Sequence, residues 1–291
     1  MNAKICTYKN NAKSAFSFVF DDACYGESTE WTYEIFKKIY EETGIKFKAT
    51  SAQTVNFVSP NMKKIWDKLF EEGYYDYCAH SMTHCICYCK NTPQEEMHAD
   101  ARDTQLKLEE MYGKKPLTYA TPGGGSDEFG WNILKNYYIA NRNGNDQINI
   151  PGKIDWFNIG TFTAMLKRTT EEYTKNIDEI IEKGGWSVQV NHWITKKEED
   201  KFHSQSFDTF VNECDYLAKK AMANEVWVCS MNEAVLYLQE AECSTLSTEK
   251  TDNGYAITLS CPLDKEIYTY PLTVELDGKL YDIKPNETIY I

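Results

Sequence analysis

Short apolar runs and helical-period segments alternate along most of this chain. Residues 15–20 form an apolar run that ends in Asp21-Asp22. Residues 30–42 place Trp31, Ile35 and Ile39 at helical spacing and stop at Gly44. Residues 47–57 read as a strand. Residues 61–72 read as a helix with Ile65, Trp66, Leu69 and Phe70 on one side, and 74–79 as a strand delivering His80. Residues 92–112 start with a Thr92 cap, Pro93 in the first turn and Glu95 beside it, which predicts a long amphipathic helix. The alternation continues. Residues 117–120 are a strand ending at Pro122 and three glycines, 128–136 a helix, 137–141 a strand and 168–183 a helix closed by Gly184-Gly185. Residues 186–191 are a strand ending at His192, 207–224 a helix, 226–229 a strand and 232–242 the last helix.

About seven strand–helix repeats predict an α/β domain whose parallel strands either close into a barrel or stay open. Asp21, His80, Pro122, Arg142 and His192 all fall at or just past the C-terminal end of a strand. In a parallel barrel those ends share one face, and the loops there build the active site. After residue 243 the period becomes two. Tyr255, Ile257, Leu259 and Cys261 alternate with polar residues, as do Leu272, Val274 and Leu276. Asn253-Gly254 and Asp277-Gly278 are hairpin signals. The expected organisation is a catalytic domain over 1–242 and a small antiparallel β module over 243–291, too small to bury a core alone and therefore docked on the first.

Composition narrows the function classes. The net charge of −13 provides no basic footprint for nucleic acid or an anionic membrane, and suits neutral or cationic substrates. No apolar run approaches the ~18 residues of a membrane span. The first residues lack the apolar stretch of a signal peptide, so the chain as written is expected in the cytoplasm, or outside it if a signal has been removed. Aromatics make up 14% of the chain, enough for saccharide platforms as well as core edges. The ten cysteines form no C-x2-C pair and are expected to be mostly free buried thiols. Cys24 lies two residues after Asp22, and Cys85, Cys87 and Cys89 form a run whose spacing matches no common metal pattern.

Three polar groups carry the chemistry. His80-Ser-Met-Thr-His84 brings two imidazoles to one metal if the segment turns helically, because positions four apart then share a face. Asp21-Asp22 directly follow an apolar strand, so they sit at a core rim. Neighbouring side chains there point differently, which lets one acid ligate a metal and the other act as general base; the plainer reading is a helix cap. His192 ends the third such strand and is suited to protonating a leaving group near neutral pH. His98, on a helix, and His203, in a polar loop, do not follow the pattern.

The order Phe-Asp-Asp, His-Ser-x-x-His, a Pro-Gly loop and Val-x-His resembles the polysaccharide deacetylases, the NodB-homology group of carbohydrate esterase family 4, from about residue 15 to 239. The resemblance implies a distorted seven-stranded (β/α) barrel. It implies one divalent metal held by Asp22, His80 and His84, with Zn the first expectation and Co, Ni or Fe accepted by the same ligand set. It implies Asp21 as base, His192 as acid, the Gly123 N–H after Pro122 as oxyanion donor, and Val190 in the acetyl pocket. Trp156, in an Asp-Trp pair, and Trp193, next to His192, are further candidates for substrate contact. The family's usual Arg two residues before the proline is replaced by Ala120. Arg142, after the next strand, is the candidate to supply that charge, provided it lies within about 8 Å of Asp21. The expected activity is hydrolysis of N- or O-acetyl groups from a poly- or oligosaccharide. The alternatives are a hydrolase of a non-sugar cyclic amide on the same fold, and a carbohydrate-binding protein that has lost catalysis.

Overall fold

A computed structural model describes residues 3–22, 26–197, 204–252 and 254–291. Cys24, His203 and Asn253 of the first hairpin signal lie outside them. After a short strand β1 (Ala3–Ile5), the parallel strands are β2 (Ser14–Phe20), β3 (Ala49–Gln53), β4 (Tyr75–Ala79), β5 (Thr118–Ala120), β6 (Ala140–Asp146), β7 (Ile159–Thr163) and β8 (Trp186–Asn191). Each pairs with the next, and β8 pairs back to β2 from Ala15↔Trp186 to Phe20↔Asn191, closing a seven-stranded barrel. Helices α1 (Glu27–Thr43), α2 (Pro60–Glu71), α3 (Gln94–Tyr112), α4 (Glu128–Leu134) and α5 (Thr170–Lys183) connect or cover these strands. A parallel pair, β9 (Trp193–Thr195) and β10 (Ser204–Ser206), precedes α6 (Phe207–Met222), β11 (Val226–Val228) and α7 (Met231–Cys243).

The barrel is distorted at β2. On one side β2 meets β8 along nearly its whole length. On the other it meets β11 through Ser14–Phe16 and β3 only through Val19 and Phe20. Thus β11 wedges between β2 and β3 at the N-terminal end and lies outside the closed seven. All residues of β2 are buried, as a parallel strand covered on both faces requires. Phe16, Phe18 and Phe20 point to the helix layer, against Phe36 of α1 and Phe210 of α6, while Ala15 and Val19 belong to the cluster on the other face.

The sequence reading reaches seven strands by compensating errors. It omits β7, whose Ile-Gly-Thr-Phe-Thr lacks a long apolar run, and counts β11, which is not part of the closed ring. It also starts β6 early; the strand runs to Asp146 and carries Arg142 within it.

The remaining strands are antiparallel: β12 (Thr245–Thr251), β13 (Gly254–Ser260), β14 (Leu272–Leu276), β15 (Lys279–Ile283) and β16 (Thr288–Tyr290). One sheet has the order β12-β13-β16 and the other β1-β14-β15, so the N-terminal strand pairs with the tail. Asp277-Gly278 turns β14 into β15 with both residues at positive φ, 46° and 82°, as the two-residue hairpin demands. Among the described residues, no helix is long and apolar enough to cross a membrane.

Candidate active site

The C-terminal ends of the strands surround a cavity of about 300 Å³. Asp21, Asp22, His84, Gly123, Arg142, Val190 and His192 line it, and His80 lies fully buried beneath. The sequence expects His80 and His84 to share a helix face. Instead a loop joins them, with Ser81 at φ 72° and His84 at φ 63°, and the two rings stand 5.0 Å apart. Asp22 also has positive φ, 68°. Three non-glycine residues in this costly region within one cluster mark a site whose surroundings impose its geometry. The helix-cap reading of Asp21-Asp22 does not hold, because Gly26 caps α1.

Asp100 of α3 holds the loop in shape. Its Oδ1 accepts hydrogen bonds from the Ser81 hydroxyl and the Met82 N–H, both at 3.0 Å, and its Oδ2 accepts one from Tyr88 at 2.9 Å. The Ser81 hydroxyl oxygen in turn accepts from the His84 N–H at 3.2 Å.

The His80 Nδ1 lies 2.6 Å from the Ala120 carbonyl oxygen. A carbonyl only accepts, so Nδ1 carries the proton and Nε2 presents a lone pair. That lone pair faces Asp22 Oδ1 at 3.4 Å, and His84 Nε2 approaches the same oxygen at 3.3 Å. The His80 Nε2 and Asp22 Oδ1 are buried with no hydrogen-bond partner. Acceptors converging on one point in a buried site call for a cation between them. The three ligand atoms lie within 4.8 Å of one another. Donors about 2.1 Å from a shared ion at the tetrahedral angle are about 3.4 Å apart, so the set fits a divalent metal. The Nδ1–H bond to a backbone carbonyl is the support that metal-ligating histidines ordinarily have.

Arg142 Nη2 donates to Asp21 Oδ1 at 2.5 Å, well inside the 8 Å condition, and both side chains are buried. The register explains the placement. Ala120 of β5 pairs with Arg142 of β6, so the charge absent at one position comes from its lateral neighbour, and the small Ala120 side chain fits beside it. Burial pushes the Asp21 carboxyl up, but the Arg142 guanidinium against it outweighs that and holds the carboxyl below its ordinary value. His192 Nε2 lies 3.8 Å from Asp22 Oδ2, so its ring faces the same cluster.

Gly123 and Gly124 follow the buried Pro122 at φ 66° and 64°. A Cβ on Gly124 would come within 2.8 Å of the Gly144 Cα, and one on Gly144 within 2.8 Å of the Gly124 carbonyl oxygen. Backbone therefore packs on backbone at the cavity wall, and both positions need glycine. Val190 lines the cavity beside its register partner Thr163. Thr161, Thr163 and Gly144 are liners that sequence reasoning missed; the period-two spacing of Ile159, Thr161 and Thr163 was the available signal. Two candidates fall elsewhere. Trp156 packs against the hydrophobic clusters behind the wall, and Trp193 lines a separate surface groove with Glu27 and Trp31. Beside the cavity-lining His84, the exposed Phe57 ring lies 6.4 Å from the imidazole and nearly parallel to it.

Residues 8–140 match the family model described as polysaccharide deacetylase. No curated protein sequence matches the chain. Among solved structures, a candidate polysaccharide deacetylase from Mycobacterium smegmatis is 12% identical, with a TM-score of 0.58 over 86% of this chain and 99% of the other. A family 4 acetyl xylan esterase from Clostridium thermocellum, in complex with a cobalt ion, is 14% identical, with a TM-score of 0.50 over 76% and 89%. At these identities the likeness concerns the fold.

Proposed function

We propose, from a chain whose residues 8–140 match the polysaccharide deacetylase family model, that this protein is a metal-dependent hydrolase removing acetyl groups from a poly- or oligosaccharide. One observation carries the reading: acceptor atoms of Asp22, His80 and His84 converge beside the Asp21–Arg142 pair and His192 around one cavity.

Asp22, His80 and His84 would hold the divalent ion. When bound, it supplies a Lewis acid that polarises the acetyl carbonyl and makes water acidic enough to attack near neutral pH. Asp21, kept ionised by Arg142, takes the proton of the attacking water. The Gly123 N–H is the donor for the oxygen on which negative charge develops. Val190 and Thr163 form the wall against which the acetyl methyl packs. His192 gives a proton to the departing amine or alcohol, the water's second proton leaves with the acetic acid and passes to the amine or to solvent as it ionises, and the proton taken by Asp21 is exchanged back to His192 for the next turnover. The exposed Phe57 face beside His84 suits a saccharide ring rather than a small cyclic amide.

The test is acetate release from chitooligosaccharides, peptidoglycan fragments and acetylated xylan, with metal content determined on the same sample. Asp22→Asn is expected to lower turnover by at least about 10²-fold and to lose the metal, since even residues supporting a ligand cost 10–100-fold. Undiminished turnover by Asp22→Asn, or by protein stripped of metal, would refute the proposal. Glycan binding with neither turnover nor bound metal would instead select the binding-protein alternative.

A further inference from the structure

The three cysteines of the run Cys85-Ile-Cys87-Tyr-Cys89 take no part in the site described above; of the run only Tyr88 supports it, through Asp100. The Cys89 N–H donates to the Cys87 carbonyl oxygen at 3.0 Å, which closes a three-residue γ-turn centred on Tyr88. Tyr88 is fully buried and anchors that turn. Its hydroxyl reaches Asp100, its carbonyl accepts from the Asp127 N–H at 3.1 Å, and a Cβ on Gly130 would come within 2.0 Å of the same carbonyl oxygen. With the central residue driven inward, the flanking cysteines are left together on the outer side. Cys87 is exposed, Cys89 is half-buried, and their sulfurs are 3.4 Å apart.

We propose that Cys87 and Cys89 are a redox-active dithiol that closes reversibly to a disulfide. A bond length near 2.05 Å leaves a shift of about 1.4 Å, within reach of side-chain rotation on a fixed turn. The Asn91 N–H, then Cys87 and Thr92, bring the Cys89 thiol below its ordinary value, while burial pushes the Cys87 thiol up. Cys89 is therefore the attacking sulfur and Cys87 the resolving one.

With hydrogen peroxide, the Cys89 thiolate takes one oxygen to become a sulfenic acid, and with one proton the other oxygen leaves as water. The Cys87 thiol then attacks the sulfenic sulfur and a second water departs. Two thiols are oxidised and one peroxide is reduced. A low-molecular-weight disulfide gives the same bond by exchange, releasing two thiols. The ring formed by residues two apart is small, so the bond is strained and readily reduced, the property of regulatory rather than structural disulfides. Cys87 Sγ also lies 3.7 Å from the Gly125 carbonyl oxygen, so closure alters a contact to the glycine loop that lines the cavity.

The experiment treats the full chain with equimolar peroxide, or with glutathione disulfide, then blocks free thiols and digests with chymotrypsin under non-reducing conditions. Cleavage after Tyr88 separates the two cysteines, so a disulfide keeps the fragment bearing Cys89 attached to its neighbour until dithiothreitol is added. The link is expected in the native chain and in Cys85→Ser, and is expected to be lost in Cys87→Ser. Oxidation of Cys89 to a sulfinic acid with no link, or a link that survives Cys87→Ser and vanishes in Cys85→Ser, would overturn the assignment.

Discussion

At the scale of single residues, the Asp21–Arg142 pair does most to distinguish this site. Arg142 is the only cation hydrogen-bonded to Asp21 among the described residues, and both are buried. Removing the guanidinium leaves an uncompensated buried carboxylate and, on the proposed mechanism, disables the base, whose contribution in such reactions is about 10²–10⁴-fold. Arg142→Ala is therefore expected to lower kcat by at least about 10²-fold. The double variant Ala120→Arg/Arg142→Ala returns the charge from the paired position on β5, and is expected to recover more than about tenfold of that loss. Steady-state kinetics with thermal unfolding on the same samples separates lost chemistry from lost fold; unchanged kcat in the single variant would remove Arg142 from the mechanism. The residues legible in the sequence were those with unusual chemistry at ordered spacing: Asp21, Asp22, His80, His84, His192, and Arg142 through the gap at Ala120. Thr161, Thr163 and Gly144 were not: the alternation of Ile159, Thr161 and Thr163 marks one face of a strand, but only the register of the sheet turns that face to a cavity. Trp156 and Trp193 misled because a large ring near a motif fills core or groove as readily as a pocket.

At the scale of elements, strand ends were easier to read than strand membership. Each delivering strand ends where a polar residue interrupts an apolar run, and that boundary is local. Whether a strand belongs to the ring depends on partners far away in the chain, which is why β7 and β11 exchanged places. A buried polar network between β8, β10 and α6 had no sequence signal at all. The Gln189 and Gln205 amides donate to Glu213 Oε2 at 3.1 and 2.6 Å, and the Asn191 amide donates to Gln205 at 2.8 Å. Burial pushes the Glu213 carboxyl up to about 7, against the lowering pull of Gln205 and Gln189, from 4.5 ordinarily. Below the ordinary value, folded and unfolded chains both hold the proton and nothing is lost. As pH rises from 4.5 to 7 only the unfolded chain releases it, so stability declines, by about 3 kcal/mol in all, and above 7 the loss is complete. Glu213→Gln carries no ionisable group and is expected to abolish most of that decline. Urea unfolding of both proteins at pH 5 and pH 8 measures it, and parallel declines would show that Glu213 does not carry the proton.

At the scale of the whole molecule, the division expected at residue 242 leaves β1 on the barrel side, whereas its register runs with β14 of the tail. Three residues with no distinctive pattern gave no sign of so distant a partner. The tail also shares its apolar interior with α7. Val235, Tyr237 and Leu238 join Ile257, Leu259, Leu272, Val274 and Ile283 in one cluster that continues to Ala15 and Val19 of β2. Tyr237 fastens the seam, donating to the Cys6 carbonyl oxygen at 2.9 Å and accepting from the Thr273 N–H at 3.3 Å. We propose that residues 243–291 are a docked module that unfolds together with the barrel rather than separately. The chain supplies its own reporter, because all seven tryptophans lie between Trp31 and Trp227 and none is in the tail. Leu272→Ala removes a fully buried side chain from β14 and is expected to cost about 2–5 kcal/mol. If the core is shared, the loss appears in tryptophan fluorescence as one transition moved to lower denaturant, coincident with the loss of circular dichroism. A tryptophan midpoint that stays in place while the dichroism signal splits in two would mean that the tail melts from an intact barrel.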